Sequence, residues 1–317
     1  MKLIKDLKIY KNKKILITGS TGFKGAWLSF WLYTLGARVV GVGLKPEKNS
    51  ILFNKLNLKK KINQYFVNIV NFKKINKIVK KEKPVLIFHL AAQSIVSNSF
   101  DNPLNTFNTN ILGSLNILEA FRLNNIKGLV YITSDKCYLN LDKKKSFKEN
   151  DLLGGKDNYS ASKASAENIF FSYHHSYFLN TKSKYLSAVT ARAGNVIGGG
   201  DMKKDRVVPD IIKSIINKKS IYLRHPNATR PWQHVLEPLS GYLILGQKIL
   251  TKSLKKNLIP SYNFGPKLNK KRVIDITRSI LRNLKNRNKI FINKKKFNES
   301  TFLSLNISKA KKELNWQ

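Results

Sequence analysis

Acidic side chains are scarce in this chain: 18 Asp and Glu stand against 59 Lys and Arg, a formal net charge of +41 over 317 residues. Such an imbalance points first to nucleic acid or an anionic membrane surface. The kind of positive charge argues against that. Lysine greatly outnumbers arginine and is spread through helices, loops and tail, whereas nucleic-acid sites concentrate arginine with aromatics on one face. Only residues 59–61, 143–145 and 294–296 form short basic blocks. Asparagine and isoleucine are abundant too, so the charge follows a general compositional bias, and we expect no nucleic-acid partner, although the charge can steer anionic substrates inward. Cysteine is nearly absent. The single Cys137 excludes an internal disulfide and fits a reducing cytoplasm, the expected location. Long hydrophobic runs are missing as well: residues 26–35, the longest apolar helical stretch, are too few to span a bilayer, and the lysine-studded segment before the first strand has no signal-like apolar core. A soluble protein with no membrane partner is expected. No metal-ligand spacing and no internal repeat occur.

What is present is material for a core, with 42% apolar residues. The order begins at residues 14–27, KILITGSTGFKGAW: a short buried strand at 15–18, then Gly19, Gly22 and Gly25 at three-residue spacing, then an apolar helical run. Glycine takes backbone angles closed to other residues and clears side chains from a helix N-terminus, whose N–H groups and dipole favour anions. A dinucleotide is the expected guest. Glycine spacing alone also suits tight packing, so its meaning depends on the rest of the chain.

Strands are expected at 37–42, 64–69, 85–90, 128–133 and 188–192, alternating with helices at 72–81 and 104–123 and a later helix carrying Tyr159 and Lys163. Alternation without hairpin signals predicts a doubly wound parallel sheet of Rossmann-like α/β class, with ligands at the strand C-termini. Beyond residue 193 the periodicity loosens into a glycine-rich loop, 194–201, and proline-punctuated segments with helices expected at 207–217, 239–250 and 273–284. That divides the chain at 1–193 and 194–317, the second part being a smaller α/β substrate domain whose segments partly return to the first. The end of the second strand offers Gly43, Leu44 and Lys45 rather than the acidic residue that bonds a ribose 2′-hydroxyl, which leaves NAD against NADP open on physical grounds.

The polar end of the fifth strand reads Ser134-Asp135-Lys136-Cys137-Tyr138, and the later helix places Tyr159 and Lys163 on one face. Tyr10 and Lys14 share that spacing but precede the glycine turn, where they cannot meet a strand end. A tyrosine titrates near ~10 and needs a cation to act as a base, which Lys163 one turn away would supply. With Ser134 holding the alcohol oxygen, the set oxidises a carbinol against a nicotinamide cofactor. Asp135 and Lys136 exceed the needs of oxidation and imply a second step, loss of water beside the new ketone. Lys136 fits either a neutral base or a retained cation at an enolate. His174 and His175 are expected on a helix surface, and Trp232 and His234 as packing residues.

The glycine spacing and the segments LITGSTGFKGAWLSFWL, FHLAAQ, YITSDKCY, YSASKASAE, ARAGNVIGGGD, RVVPDI, RPWQHVLEPLSGYL and NFGP resemble the extended short-chain dehydrogenase/reductase family. Within it they are most similar to the nucleotide-sugar 4,6-dehydratases, nearest the branch that acts on CDP-glucose, which shares the Asp-Lys pair where other branches carry an acidic residue after the aspartate. The resemblance implies an NAD-binding first domain, a nucleotide-sugar-binding second domain, a homodimer and a role in surface polysaccharide. It implies that Ser134 binds O4, Asp135 protonates the C6 hydroxyl, Lys136 assists at C5, and Tyr159 with Lys163 drives oxidation. NAD would be held by Gly19, Thr21, Gly22, Phe23, Lys24, Gly25, Asn68, Ile69, Leu90, Ala91, Ala92, Gln93, Asn110 and Thr133 together with Tyr159 and Lys163. The nucleotide diphosphate would be held by Asn195, Arg206, Val207 and Arg230. Asn68, Asn158 and Met202 depart from the family pattern, and relatives continue past residue 317, which suggests a shortened C-terminus. A 4-epimerase or reductase would share the fold but leave Asp135 and Lys136 idle, and a non-enzymatic anion-binding protein would leave the whole set idle.

Overall fold

Adjacent parallel strands require a long crossover between them, and here helices supply it. The computed structural model describes residues 7–46, 51–142, 145–267, 271–292 and 301–317. Of the basic blocks, Lys143, Lys144 and 294–296 lie outside the described residues. Seven strands, β1 (Lys14–Thr18), β2 (Arg38–Gly43), β3 (Asn63–Phe66), β4 (Leu86–His89), β5 (Gly128–Ile132), β6 (Ala188–Ala193) and β7 (Ser261–Phe264), form one sheet in the order β7-β6-β5-β4-β1-β2-β3. Every pairing in it is parallel. β1 touches both β2 and β4, so the winding reverses at β1, and the crevice beyond its C-terminal end is where a parallel sheet takes its ligand.

Side chains alternate across each strand, and the two faces bury separate cores. Ile15 and Ile17 of β1 turn to the face covered by helices α1 (Phe23–Thr34), α6 (Leu236–Leu250) and α8 (Ser308–Leu314), and share one core with Leu28, Leu32, Leu239, Leu243, Ala310 and Leu314. Leu16 turns the other way, toward α2 (Phe72–Glu82), α3 (Gly113–Leu123) and α4 (Asn158–Tyr173), with Ile75, Ile117, Phe121 and Phe170. A small satellite core of Ile211, Ile221, Leu223, Ala228 and Val273 joins α5 (Val207–Ile216) and α7 (Val273–Asn283) under a two-stranded parallel sheet, Ile221–Leu223 with Ile290–Ile292.

Several expectations change. The helix expected over 104–123 is broken: Pro103–Phe107 and α3 flank a π turn at Asn108–Leu112. Asn110 is fully buried there and its side chain serves a neighbouring loop, and Gly113 seats tightly, since a Cβ would lie 2.7 Å from Ile69 Cδ1. The third strand ends at Phe66 rather than 69. The NFGP region contributes β7, paired with β6, an element that short apolar run did not announce. His174 is not on the surface: it is 1% exposed, in a second π turn, His174–Phe178, with Nε2 2.9 Å from the Asn257 carbonyl. His234 is exposed rather than packed, and its Nδ1 accepts the Leu236 N–H at 3.3 Å. The decoy pair has structural work of its own: Tyr10 donates to the Leu243 carbonyl at 2.6 Å, and Lys14 pairs with Glu82 at 3.1 Å. Among the described residues no helix is long and apolar enough to cross a membrane.

Helix α6 lies flat on β7 because Gly241 leaves room: a Cβ there would sit 2.1 Å from Phe264 Cε1, on a ring with no exposure. Gly241→Ala gains about 1 kcal/mol of helix propensity, but overpacking a filled core costs about 1–3 kcal/mol, and the depth of this clash favours the upper end. We expect a net loss of about 1–2 kcal/mol, read as a lower urea midpoint at unchanged m-value. An unchanged midpoint would show that α6 is not seated on β7 in this way.

Candidate active site

The turn after β1 is built by close approach of two backbones. Gly19 has φ +74°, and a Cβ on it would lie 2.8 Å from the Ala91 nitrogen and 2.9 Å from the Leu90 carbonyl carbon. Gly25, one turn into α1, crosses the same turn so closely that a Cβ would fall 2.0 Å from the Gly19 oxygen. Gly22 is different: an added Cβ would meet only that oxygen, at 3.3 Å, and otherwise open space. Gly22 caps α1 without a side-chain hydrogen bond, and the first turn holds no acidic residue, so the positive end of the helix is left for an external anion. This cradle fits a dinucleotide pyrophosphate. Thr21 stands over the end of β2, its Oγ1 2.8 Å from where a Gly43 Cβ would be. Phe23 packs against Gly198, and Trp27 Nε1 donates to the Gly199 carbonyl at 3.0 Å, tying the glycine-rich loop of the second half to α1.

A buried histidine braces the turn, a role that the segment FHLAAQ does not disclose although His89 ends its apolar strand. Its Nδ1 lies 2.7 Å from Thr18 Oγ1, which also accepts the Ala91 N–H at 3.1 Å, and its Nε2 lies 3.0 Å from Ser114 Oγ. Burial, with help from the Lys163 charge, lowers its pKa to about 3, so the ring is neutral. The chain leaving β4 is held by Asn110, whose Oδ1 accepts the Gln93 N–H at 2.8 Å while Nδ2 donates to the Gln93 carbonyl at 3.0 Å and Ser162 Oγ at 2.9 Å. Ser162 Oγ donates in turn to the Tyr159 carbonyl at 2.7 Å, so one amide links the β4 loop to α4. The Gln93 side chain is spent on its own loop, bonding Ile95 and Thr106. Leu90, Ala91 and Ala92 are half-buried beside it. At the end of β3, Asn68 is exposed with Oδ1 accepting the Val70 N–H at 3.0 Å, and Ile69 is buried.

β5 delivers Thr133 and Ser134 to the same edge, where the Ser134 hydroxyl caps the turn Asp135–Cys137 by accepting the Lys136 N–H at 3.2 Å and donates to Asp135 Oδ1 at 2.9 Å. Asp135 is 3% exposed, and its second oxygen, Oδ2, is buried with no hydrogen-bond partner, pressed toward Gly194, where a Cβ would come within 2.9 Å. Burial raises its pKa, against the opposing pull of the Ser134 hydroxyl and the charges of Lys136, Lys24 and Arg230. A carboxyl held toward its neutral form can donate a proton. Lys136 is half-buried on the neighbouring position.

Helix α4 is started by Asp157, whose Oδ1 accepts the Ser160 N–H at 2.9 Å, and it lays Tyr159 and Lys163 against this segment. The two are 8% and 5% exposed. In the protein without cofactor, burial pushes Tyr159 up to about 12, opposed by the Ser134 hydroxyl and Arg206, and Asp135 adds to the rise. Lys163 instead faces Cys137 and Glu167, and burial lowers it to about 8. Burial also lowers Lys24 to about 8, with Arg206 adding to the shift and Asp135 opposing it, so this half-buried lysine of α1 stands within electrostatic reach of both.

On the second half, Arg206 precedes α5 and donates to Asp201 Oδ2 at 2.8 Å and to Ser94 Oγ at 3.2 Å, bridging the glycine-rich loop to the β4 loop. Asp201 stands out in the sequence only as the end of that loop. It is largely buried, and its Oδ1 has no hydrogen-bond partner. Val207 opens α5 and is half-buried. Arg230 is 5% exposed, donates to the Thr229 carbonyl at 3.1 Å and acts on Asp135. Asn195 is exposed, and its carbonyl accepts the Gln233 N–H at 3.2 Å. The structure therefore brings Lys24, Ser134, Asp135, Tyr159, Arg206 and Arg230 into mutual electrostatic reach, while Asn68 stands at the far edge beside β3.

The chain is 40% identical over 265 residues, 83% of its length and 73% of the relative's, to a CDP-glucose 4,6-dehydratase of Salmonella typhimurium. Its fold superposes on an epimerase of Methanothermobacter thermautotrophicus with TM-score 0.84 at 25% identity, covering 99% of this chain and 90% of that one. It superposes also on a dTDP-glucose 4,6-dehydratase of Bacillus anthracis solved with NAD, with TM-score 0.79 at 21% identity, covering 96% and 91%. The family model described as GDP-mannose 4,6 dehydratase matches residues 16–317, and the chain belongs to that family.

Proposed function

We propose that the chain dehydrates a nucleotide-sugar, CDP-glucose first among the candidates, to the 4-keto-6-deoxy sugar nucleotide with NAD as a resident hydride carrier. One observation carries the reading: a buried carboxyl, Asp135, with one oxygen held by Ser134 and the other unpartnered, standing beside the tyrosine and lysine of an alcohol-oxidising set. An epimerase or simple reductase has no step that consumes such an acid. The choice of CDP-glucose is supported by the Asp135-Lys136 pair and by the Salmonella typhimurium relative.

The pyrophosphate of NAD would lie on the N-terminus of α1 over Gly22, with Phe23, Lys24 and Gly25 around it. Bound there, NAD would supply the hydride-transfer chemistry. Tyr159 takes the proton of the O4 hydroxyl, which Ser134 orients. Its proton affinity, raised by burial, falls when the positive charges of Lys163 and the oxidised cofactor stand nearby. The C4 ketone so formed acidifies C5. Lys136 removes the C5 proton or steadies the enolate, and Asp135 gives its proton to the C6 oxygen, which leaves as water. Hydride gained at C6 would complete the methyl group and a proton regained at C5 would restore that centre, so that the sugar loses one water with no net redox change. Arg206 and Arg230 are assigned to the diphosphate, with Asn195 and Val207 beside them, since guanidinium groups match phosphate oxygens in geometry as well as charge.

Incubated with NAD and a panel of CDP-, dTDP-, GDP- and UDP-glucose, the protein is expected to convert the CDP sugar best, with a product lighter by one water and no accumulating NADH. Deuterium placed at C4 should be recovered in the new methyl group. Label lost to solvent, or a product of unchanged mass, would overturn the reading.

Asp135→Asn keeps the shape and removes the acid. We expect kcat to fall by about 10²–10⁴-fold, the range of a lost general acid, with KM nearly unchanged. Because the raised pKa keeps the carboxyl protonated to higher pH than usual, wild-type kcat should decline as pH rises through that pKa, and the variant should lack this limb. The same raised pKa means that the native state holds the proton more tightly than the unfolded chain, which costs stability once pH exceeds the unfolded value. The variant is therefore expected to melt higher than wild type near neutral pH. Turnover unaffected by the change would favour an epimerase.

A further inference from the structure

Behind the catalytic helix, strands β5, β6 and β7 meet α4 on one buried ion pair. Glu167 follows Lys163 by one turn on α4, and its carboxylate is 2% exposed. Oε1 accepts from the hydroxyl of Thr133 at the end of β5. Oε2 accepts from Arg192 Nη2 at 2.8 Å and from Thr190 Oγ1 at 3.1 Å, both on β6. Arg192 Nη1 donates to the Tyr138 hydroxyl and to the Glu149 carbonyl, each at 2.9 Å, and Tyr138 donates its own proton to Asn263 Oδ1 on β7 at 2.7 Å. The guanidinium also lies over the Tyr138 ring, 4.9 Å from its centre. Thr133 immediately precedes Ser134-Asp135-Lys136, and Tyr138 closes the turn after them. Both ends of the reactive segment thus hang on the two halves of a single pair.

Such a pair is a poor source of stability, because desolvating two charges consumes most of their attraction and apolar residues of equal volume often do as well. Its value lies in direction: the donors and acceptors admit one arrangement of β5, β6 and α4, where an apolar contact would admit several. We propose that Glu167 and Arg192 are positioning residues that clamp the segment from Thr133 to Tyr138 at both ends, fixing Ser134 and Asp135 against Tyr159 and Lys163. Neither touches the sugar. The Glu167 charge also faces Lys163 and partly offsets the burial that lowers that lysine. The kinetic consequence rests on the dehydratase reading, whereas the mechanical one does not.

Two variants of the 317-residue chain remove one hydroxyl from each end of the clamp and leave the ion pair in place. Thr133→Val and Tyr138→Phe are each expected to lower kcat about tenfold, short of the ~10²-fold loss that a 1 Å misplacement can cause, with KM within about twofold of wild type, and to speed backbone amide exchange at residues 134–138. Thr133→Ser restores the hydroxyl and should keep both rate and protection. If either kcat or exchange stays at the wild-type level in both variants, or if Thr133→Ser falls as far as Thr133→Val, the clamp is refuted. Should one variant fail to fold, the other decides by the same two readings. Exchange is measured without substrate: a wild-type chain that dehydrates no sugar nucleotide would refute the dehydratase reading, and the exchange result alone would then judge the clamp.

Discussion

The contact on which the rest of the molecule depends is between two backbones, where the turn leaving β1 rests on the chain leaving β4. Gly19 has no room for even one carbon beyond its Cα, because Leu90 and Ala91 already occupy that space. Side chains cannot mediate an approach that close, so the crossing is made with hydrogen bonds instead: Thr18 joins Ala91, and neutral His89 fixes Thr18 from below. The consequence propagates upward. With the crossing closed, α1 starts at the sheet edge with its amide end uncovered, and the β4 loop is delivered to Asn110, which passes the constraint to Tyr159 through Ser162. The anion cradle and Tyr159 are set by the same short stretch of packed main chain.

Charge in this protein is distributed in two regimes. Over the surface, lysines are many and solvated, and their attraction for any one partner is screened. At the strand ends the dielectric is low, and burial outweighs sign: Asp135 is raised although three cations oppose the shift, while Lys24 and Lys163 are both lowered to about 8 although carboxylates stand near them. Each group is thus brought toward the pH at which proton transfer is cheap in both directions. The composition that first suggests a polyanion partner therefore says little about the site, whose chemistry depends on a few buried groups and not on the many solvated cations.

How much of this was legible in the sequence follows the same division. Glycine spacing, strand alternation and polar residues at strand ends are local signals: they locate β1 and β5 within a residue, place the start of α1 three residues late, and put Tyr159 and Lys163 on a helix. What escaped depends on tertiary contact. β7 is a short run whose strand character comes from pairing with β6, and the π turn at Asn108–Leu112 exists because a buried amide must reach Gln93. His174 sits beside a half-buried neighbour of the same type, and both rings meet carbonyls of the 257–258 loop, a contact that no local pattern announces. Glu167 was visible as the last letter of a motif, but its partner is twenty-five residues away in sequence, on strand β6 rather than on the same helix.

The tyrosine illustrates why spacing alone misjudges energetics. Tyr159 and Lys163 share a helix face, and from that alone the lysine should depress the tyrosine. In the fold both are withdrawn from water, the lysine turns toward Cys137 and Glu167, and desolvation of the phenolate dominates. The balance is one that ligands can change. Negative charge brought among Lys24, Arg206 and Arg230 would relieve the repulsion among those cations and raise the proton affinity of the lysines, while positive charge beside the phenol would lower that of Tyr159. The two changes act on opposite members of the set, so its ionisation is governed by the charge placed against it as much as by the spacing of its residues.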